Sequence, residues 1–312
     1  MTHDLLIVGG GPAAVAAGVY AARKRLKTLV VAGEFGGQSS VSAEIYNWIG
    51  TTNISGEELA KNLKQHLFSY QNETDFVIKE GVRVEQISKK ETEKTFTAKL
   101  DNSENVQARA VLMTTGAERR KLTVPGAKEF EQKGITYCAT CDGPLFADKD
   151  VVVIGGGNAA FETVSQLLAY CKSVTLIHRG ESFRADEITV EKVKQNSKVK
   201  LITNAELIEF KGGKFVSSLV YKDSKTGEQK ELKTDGVFVE IGLVPSTWPV
   251  QDVVKLNTNG SIPVDPRTQA TSTPGIWAAG DCTDALYHQN NIAAGDAIKA
   301  LENIYQYLHL NS

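Results

Sequence analysis

Residues 4–14, DLLIVGGGPAA, decide how this 312-residue chain folds. Asp4–Val8 is a short apolar run of the kind that lies in a parallel sheet covered on both faces. Three glycines then clear side chains from the point where the strand must turn. An alanine-rich stretch follows, predicting a helix to about Leu26, and Thr28–Val31 is the next apolar run. Residues 4–31 therefore predict one βαβ unit. Its glycines have separate duties: Gly9 permits the tight turn and Gly11 lets a pyrophosphate approach the backbone. Ala14 allows close helix–strand packing, and the N-terminus of the helix faces the phosphates. A dinucleotide site is expected here. Glu34, beyond the second strand, is the candidate ribose partner, and Gly36-Gly37-Gln38 forms a loop able to bring backbone up to a flat ligand.

The same pattern returns once. Asp150–Ile154 predicts a strand, Gly155-Gly156-Gly157-Asn158-Ala159-Ala160 a second glycine turn and helix start, and Ser173–Ile177 the following strand. A second dinucleotide domain is expected over about 119–245. An acid closing its second strand would hold a ribose 2′-hydroxyl. This chain instead has His178-Arg179, with Arg184 five residues on, and arginine pairs with a 2′-phosphate through charged hydrogen bonds. Elsewhere, residues 55–71 have helical apolar spacing. Residues 77–115 alternate as an antiparallel meander ending in a strand at 110–116. Pro125-Gly126 marks a break, near which the first crossing between domains is expected; 198–242 reads as short strands and turns, and 242–249 as the second crossing. Gly275–Ala279 predicts a strand running into Gly280-Asp281, whose carboxylate suits either the ribityl or phosphate hydroxyls of a flavin or a turn or helix-cap role. Residues 293–308 predict a helix. The expected fold class is α/β, with two Rossmann-like three-layer domains.

Between the two glycine turns lies Tyr137–Gly143, YCATCDG, holding two of only four cysteines. Cys138 and Cys141 are close enough for a small disulfide or a vicinal dithiol. Structural zinc would want a second pair at similar spacing, and none is present. Two core thiols would be inert. A C-x-x-C pair poised for exchange has the lowered thiol pKa that redox chemistry needs, and its place between two dinucleotide motifs favours that reading. Cys171 and Cys282 read as small apolar fillers. The net charge is −2 and the pI near 6.3, which points neither to nucleic acid nor to an anionic membrane. With no basic leader and apolar run, no membrane span and no disulfide scaffold, the cytoplasm is the expected compartment.

GGGPAA, FGGQ, YCATCDGPLF, VIGGGNAAFE, HRGESFR and AAGDCTDALYHQ occur in the order and spacing of low-molecular-weight thioredoxin reductases, and nearly the whole chain resembles that family. GEFGGQ, TYCATCDGPLF, VFVEIGLVPST and AAGDCTD resemble even more the flavin-carrying component of alkyl hydroperoxide reductase. That relative has an additional N-terminal thioredoxin-like region, for which this sequence shows no counterpart, and an acid at the His178-Arg179 position. The resemblance implies a homodimeric FAD-dependent enzyme that passes electrons from NADPH to the Cys138–Cys141 disulfide and on to thioredoxin. It implies an FAD domain from residues 1–118 and 246–312 and an NAD(P)H domain from 119–245. The FAD residues would be Gly9, Gly11, Pro12, Ala13, Glu34, Gly37, Gln38, Asn47, Thr115, Gly116, Gly280, Asp281, His288 and Gln289. NADPH would lie on Gly155, Gly157, Asn158, Ala159, His178, Arg179 and Arg184. Cys141 would exchange electrons with the isoalloxazine, Cys138 would attack the partner disulfide, and Asp142 would give and take the proton. In the family the central domain rotates, which would place hinges near 117–119 and 245–247. Two departures stand out: Gly180 replaces an arginine of the basic HRRxxxR cluster, and His288 replaces the arginine before Gln289. A lost charged contact costs about 1–3 kcal/mol, enough to blur a preference for NADPH over NADH. Relatives with altered nucleotide sites take electrons from ferredoxin, and others serve a peroxiredoxin system.

Overall fold

The N-terminal apolar run forms strand β1, Thr2–Val8, fully buried from Leu5 onward. The computed structural model describes residues 2–42, 45–72, 74–89 and 95–310; the side chains of Val41, Thr140 and Cys141 lie outside the description. The chain forms two units, Met1–Glu118 with Val244–Ser312, and Arg119–Leu243.

In the first unit, β1 leads into helix α1, Pro12–Arg23, which stops short of Leu26. Arg25 takes the left-handed φ of 56°, and the Leu26 N–H donates back to the Ala21 carbonyl at 3.1 Å, a turn that closes the helix. β2, Thr28–Ala32, then pairs parallel to β1. Helix α2, Gly56–Phe68, is capped by the Ser55 hydroxyl, which accepts the Glu58 N–H at 3.1 Å. Strand β3, Phe76–Glu80, corrects the expected meander: it pairs parallel to β2 at the sheet edge. Phe76 and Ile78 bury against the helices, and that anchors the strand in the parallel sheet. The meander proper is β4, Val84–Ser88, β5, Phe96–Leu100, and β6, Asn105–Met113.

The chain crosses at β7, Ala117–Arg119, into the second unit. There β8, Ile135–Thr136, precedes the one-turn helix α3, Ala139–Asp142. β9, Asp150–Gly155, helix α4, Asn158–Leu167, and β10, Ser173–Ile177, form the expected second βαβ unit. Helix α5, Glu187–Lys194, and β11, Val199–Ile202, extend it. β12, Ala205–Gly212, β13, Val216–Asp223, and β14, Gln229–Lys233, make a separate antiparallel sheet. β15, Gly236–Glu240, returns to pair between β9 and β8. After β16, Leu243–Pro245, the chain adds β17, Ile276–Ala278, and helix α6, Asn290–Leu310, to the first unit.

Each unit is layered by the two-residue period of its strands. In the first, Leu5, Ile7, Val30 and Leu112 face α1, α2 and α6, while Leu6, Val8, Val31 and Met113 face the meander residues Ile87, Phe96 and Leu100. β6 serves both: its first half pairs with β5 and its second with β17, while β1 runs along its other edge. In the second unit, Val151, Val153 and Phe238 pack on α4, and Val152, Ile154 and Val239 pack on Phe210 and Leu219 of the antiparallel sheet. Among the described residues no helix is long and apolar enough to cross a membrane.

Candidate functional site

At the end of β1 the glycines are dictated by contact. Gly9 has φ +132°, and a β-carbon there would lie 2.3 Å from the Thr114 carbonyl oxygen; at Gly10 it would lie 2.0 Å from that of Glu34. Gly11 is different, because among the described residues the only atom near its β-carbon position is Gly37 Cα at 3.8 Å. That opening stands at the N-terminus of α1, where Pro12 occupies the first turn and no side chain caps the free N–H groups. The 33–37 loop closes over it: the Gly36 N–H donates to the Gly10 carbonyl at 3.0 Å, and Gly37 holds φ +67°. The Glu34 side chain is exposed beside this loop. Ala13 lies beneath, its Cβ 3.6 Å from where Gly280 would carry one.

Several expected flavin-side residues meet across long sequence distances in this unit. Asn47 Nδ2 donates to Gln289 Oε1 at 3.0 Å, and Asn291 Nδ2 donates to the Asn47 carbonyl at 2.6 Å. Gln38 Nε2 donates to the Ala117 carbonyl at 2.6 Å, just past Thr115 and Gly116. Thr115 Oγ1 is buried beside the Cys282 thiol, and among the described residues a β-carbon on Gly116 would meet nothing within 4 Å. His288 Nδ1 lies 3.4 Å from Asp281 Oδ1, so the histidine faces the carboxylate that follows Gly280. An open glycine at a helix N-terminus, a buried hydroxyl and a carboxylate at a strand end fit a dinucleotide with polyhydroxyl groups.

The second unit repeats the opening. A β-carbon on Gly155 would lie 2.4 Å from the Glu240 carbonyl, and one on Gly157, at the start of α4, would meet nothing within 4 Å among the described residues. Two hydrogen bonds tie the loop after β10 to this turn: Arg184 N–H donates to the Gly156 carbonyl at 2.7 Å, and Asp186 N–H to Asn158 Oδ1 at 2.8 Å. Ala159 sits exposed in the first turn of α4. Arg179 and Arg184 are exposed and, among the described residues, in no ion pair. The His178 ring is a support: β-carbons at Gly156 and Gly180 would lie 2.2 Å and 2.7 Å from its two nitrogens, and it stacks tilted on Phe183 at 5.6 Å. Burial holds its pKa below the ordinary histidine value, and both arginines push the same way. Gly180 thus leaves room for this ring. A 2′-phosphorylated nucleotide fits the open Gly157 turn, to which Arg184 is tied through its backbone, with Arg179 next to the His178 that supports that turn.

Cys138 is disulfide-bonded, whereas Cys171 and Cys282 are free and buried. The Cys141 backbone lies in α3, but its side chain is outside the described residues. The Asp142 N–H donates to the Cys138 carbonyl at 3.1 Å, closing the single turn. Thr136, at the end of β8, donates its hydroxyl to Asp142 Oδ2 and accepts the Cys138 N–H at 3.2 Å. Lys121 Nζ stands 4.1 Å above the Tyr137 ring and pairs with Glu131.

Sequence reasoning missed two groups. Thr136 is one, with only its place two residues before the first cysteine as a signal. Glu240 is the other: it pairs in register with Gly155, and its nearly buried carboxylate takes both Arg119 contacts at 2.9 Å and the Thr163 hydroxyl at 3.0 Å. Burial raises its pKa, while Arg119 and Thr163 oppose that rise. A charged residue ending an apolar strand beside a glycine turn was the overlooked sign.

A family profile described as pyridine nucleotide-disulphide oxidoreductase matches residues 3–299. The chain is similar to the thioredoxin reductase of Lactococcus lactis, with 32% identity, a TM-score of 0.89 and 99% of each chain covered. It is similar to the T. acidophilum thioredoxin reductase at 37% identity and a TM-score of 0.86, over 100% of this chain and 99% of that one. It is 39% identical to a Bacillus subtilis NADH dehydrogenase over 99% of this chain and 59% of that protein. The same identity relates it to an alkyl hydroperoxide reductase component of Staphylococcus aureus, over 99% of this chain and 60% of that one. The chain thus spans about 60% of the length of the curated relatives it matches.

Proposed function

The chain belongs to the pyridine nucleotide-disulphide oxidoreductase family, and from that premise we propose that it is an FAD- and NADPH-dependent reductase of thioredoxin or a thioredoxin-like protein. Membership makes it an oxidoreductase with the thioredoxin-reductase type of fold, using a flavin and a nicotinamide nucleotide. The observation that carries the finer reading is a disulfide at Cys138 in a chain whose two units each present an open glycine turn at a helix start. A zinc thiolate or an inert core thiol would not be oxidised.

A bound flavin supplies the two-electron chemistry that links a hydride donor to a disulfide. The protein's own groups do the rest. Gly9, Gly11, Pro12 and Ala13 hold a pyrophosphate on the first N–H groups of α1, with Glu34, Gly37, Gln38, Asn47, Thr115, Gly116, Gly280, Asp281, His288 and Gln289 around the remainder. Gly155, Gly157, Asn158 and Ala159 hold the nicotinamide nucleotide's phosphates; Arg179 and Arg184 take its 2′-phosphate, and His178 props the turn. With the pair reduced, the Cys138 thiolate attacks a partner disulfide, Cys141 resolves the mixed disulfide, and Asp142 moves the protons. The proposal includes a homodimer in the cytoplasm.

One observation favours a second reading. Gly180 withholds a third cation from the nucleotide loop, and relatives at 39% identity are alkyl hydroperoxide reductase components. This version uses NADH and serves a peroxidase through a thioredoxin-like adaptor. Anaerobic titration of the flavin-loaded protein with each nucleotide separates the two. Bleaching of flavin absorbance at low NADPH supports the first, bleaching by NADH alone the second, and bleaching by neither overturns both donors and points to ferredoxin. Thioredoxin reduction that survives Cys138→Ser would overturn the thiol mechanism.

A further inference from the structure

We propose that Thr136 is a positioning residue for disulfide exchange: its hydroxyl, held between the Cys138 backbone N–H and the Asp142 carboxylate, fixes where that carboxylate stands. The inference rests on the reading of Asp142 as the proton-transfer group.

The geometry gives one hydroxyl two jobs. A threonine oxygen has one proton to donate and two lone pairs to accept with. One lone pair receives the Cys138 N–H at 3.2 Å, and the proton is directed to Asp142 Oδ2. The hydroxyl is itself anchored. Thr136 is buried, its χ1 is stiff because it is β-branched, and its backbone lies in β8, in register with Phe238 of β15. Helix α3 by contrast has four residues, too few to hold its own shape. The backbone bond from Asp142 to the Cys138 carbonyl closes its turn, and the Thr136 contact ties its last side chain to the sheet.

Disulfide exchange needs such fixed placement. Cys138 thiolate attack forms one mixed S–S bond and breaks the partner's, and the partner sulfur set free leaves as a thiolate that takes a proton. The second cysteine then gives up a proton, attacks the Cys138 sulfur and restores the pair's S–S bond. The mixed bond breaks, and the other partner sulfur leaves and is protonated. Two electrons pass to the partner, and the protons lost by the two thiols are the ones it gains. A single carboxylate can take a proton from one sulfur and deliver it to another only while it stays in reach of both.

The test uses full-length flavin-loaded protein, chemically reduced and freed of reductant, mixed with the small disulfide 5,5′-dithiobis(2-nitrobenzoate) so that no nicotinamide nucleotide is needed. Thr136→Val should slow thiol–disulfide exchange by about 10- to 100-fold, within the range a general acid–base supplies. Thr136→Ser, which keeps the hydroxyl, should restore most of the rate. On an Asp142→Asn background, Thr136→Val should add almost nothing, because both changes remove one function. A valine variant as fast as wild type, or one whose loss adds in full to that of Asp142→Asn, overturns the role of Thr136. Asp142→Asn alone at wild-type speed overturns instead the reading of Asp142. Should the valine variant fail to fold, Thr136→Ala takes its place in the same cycle.

Discussion

The cysteines with described side chains divide by environment. Burial pushes the thiols of Cys171 and Cys282 up to about 11, which leaves roughly one molecule in a thousand as thiolate near pH 8. Native protein reduced and treated with iodoacetamide at that pH should therefore be labelled at Cys138 and Cys141, with Cys171 and Cys282 untouched until the protein is unfolded. Peptide mapping by mass spectrometry checks this, and early labelling of Cys282 would contradict its burial. The filler reading of these two thiols came from their places at a helix end and after Asp281, and packing bears it out, with Cys171 against the α4 core and Cys282 in the core beneath β6. Thr136 was not legible, since a hydroxyl's partners depend on how one turn of helix folds back on a strand. The basic loop offers a second test. Gly180→Arg should shift selectivity toward NADPH over NADH by about 1–3 kcal/mol, roughly 5- to 150-fold in the ratio of kcat/KM values. The new β-carbon presses on His178 Nε2, so part of that gain is lost if the ring moves. Comparing Gly180→Arg with Gly180→Ala separates the charge from the displacement.

At the scale of elements, periodicity and glycine placement carried both βαβ units nearly to the residue, as the second shows: Ser173–Ile177 is strand in sequence and structure alike. The misread element was β3. Its alternation matches an antiparallel edge as well as a parallel one, and only the contact of Phe76 and Ile78 with the helices decides between them. Helix ends were illegible for a similar reason, because Arg25 adopts a left-handed conformation that no glycine announces. Another contact invisible in sequence locks the segment after the cysteines. A β-carbon on Gly236 of β15 would stand 2.2 Å from Phe146 Cε1, and Phe146 packs edge-on against Phe238 at 5.3 Å. Gly236→Ala should cost about 1–3 kcal/mol through overpacking. Denaturant midpoints check the value. The double variant with Phe146→Leu should lose less than the sum of the two single losses, since the smaller side chain vacates the contested space.

At the scale of the molecule, the chain encodes two glycine-turn units by inserting one into the other: residues 119–243 interrupt a first unit that resumes at Val244. Each has a core of its own on both faces of its parallel sheet. The repeat was visible in the two GGG motifs, but which ligand belongs to which unit rests on a handful of side chains: Thr115 and Asp281 in one, Arg179 and Arg184 in the other. Ligand-dependent hydrogen exchange tests that assignment directly. A ligand at 100 times its Kd stabilises the state it binds by about 2.7 kcal/mol, and the gain is largest for amides it touches. FAD added to flavin-free protein should slow exchange at residues 9–14 and 280–283. Adenosine 2′,5′-bisphosphate, which carries the 2′-phosphate without the nicotinamide, should slow it at 156–160 and 179–186. Arg179→Ala with Arg184→Ala should abolish the second effect and leave the first. The opposite map, with FAD protecting the Gly155–Gly157 turn, would reverse the roles of the units even though the fold and the cysteine pair stayed as they are.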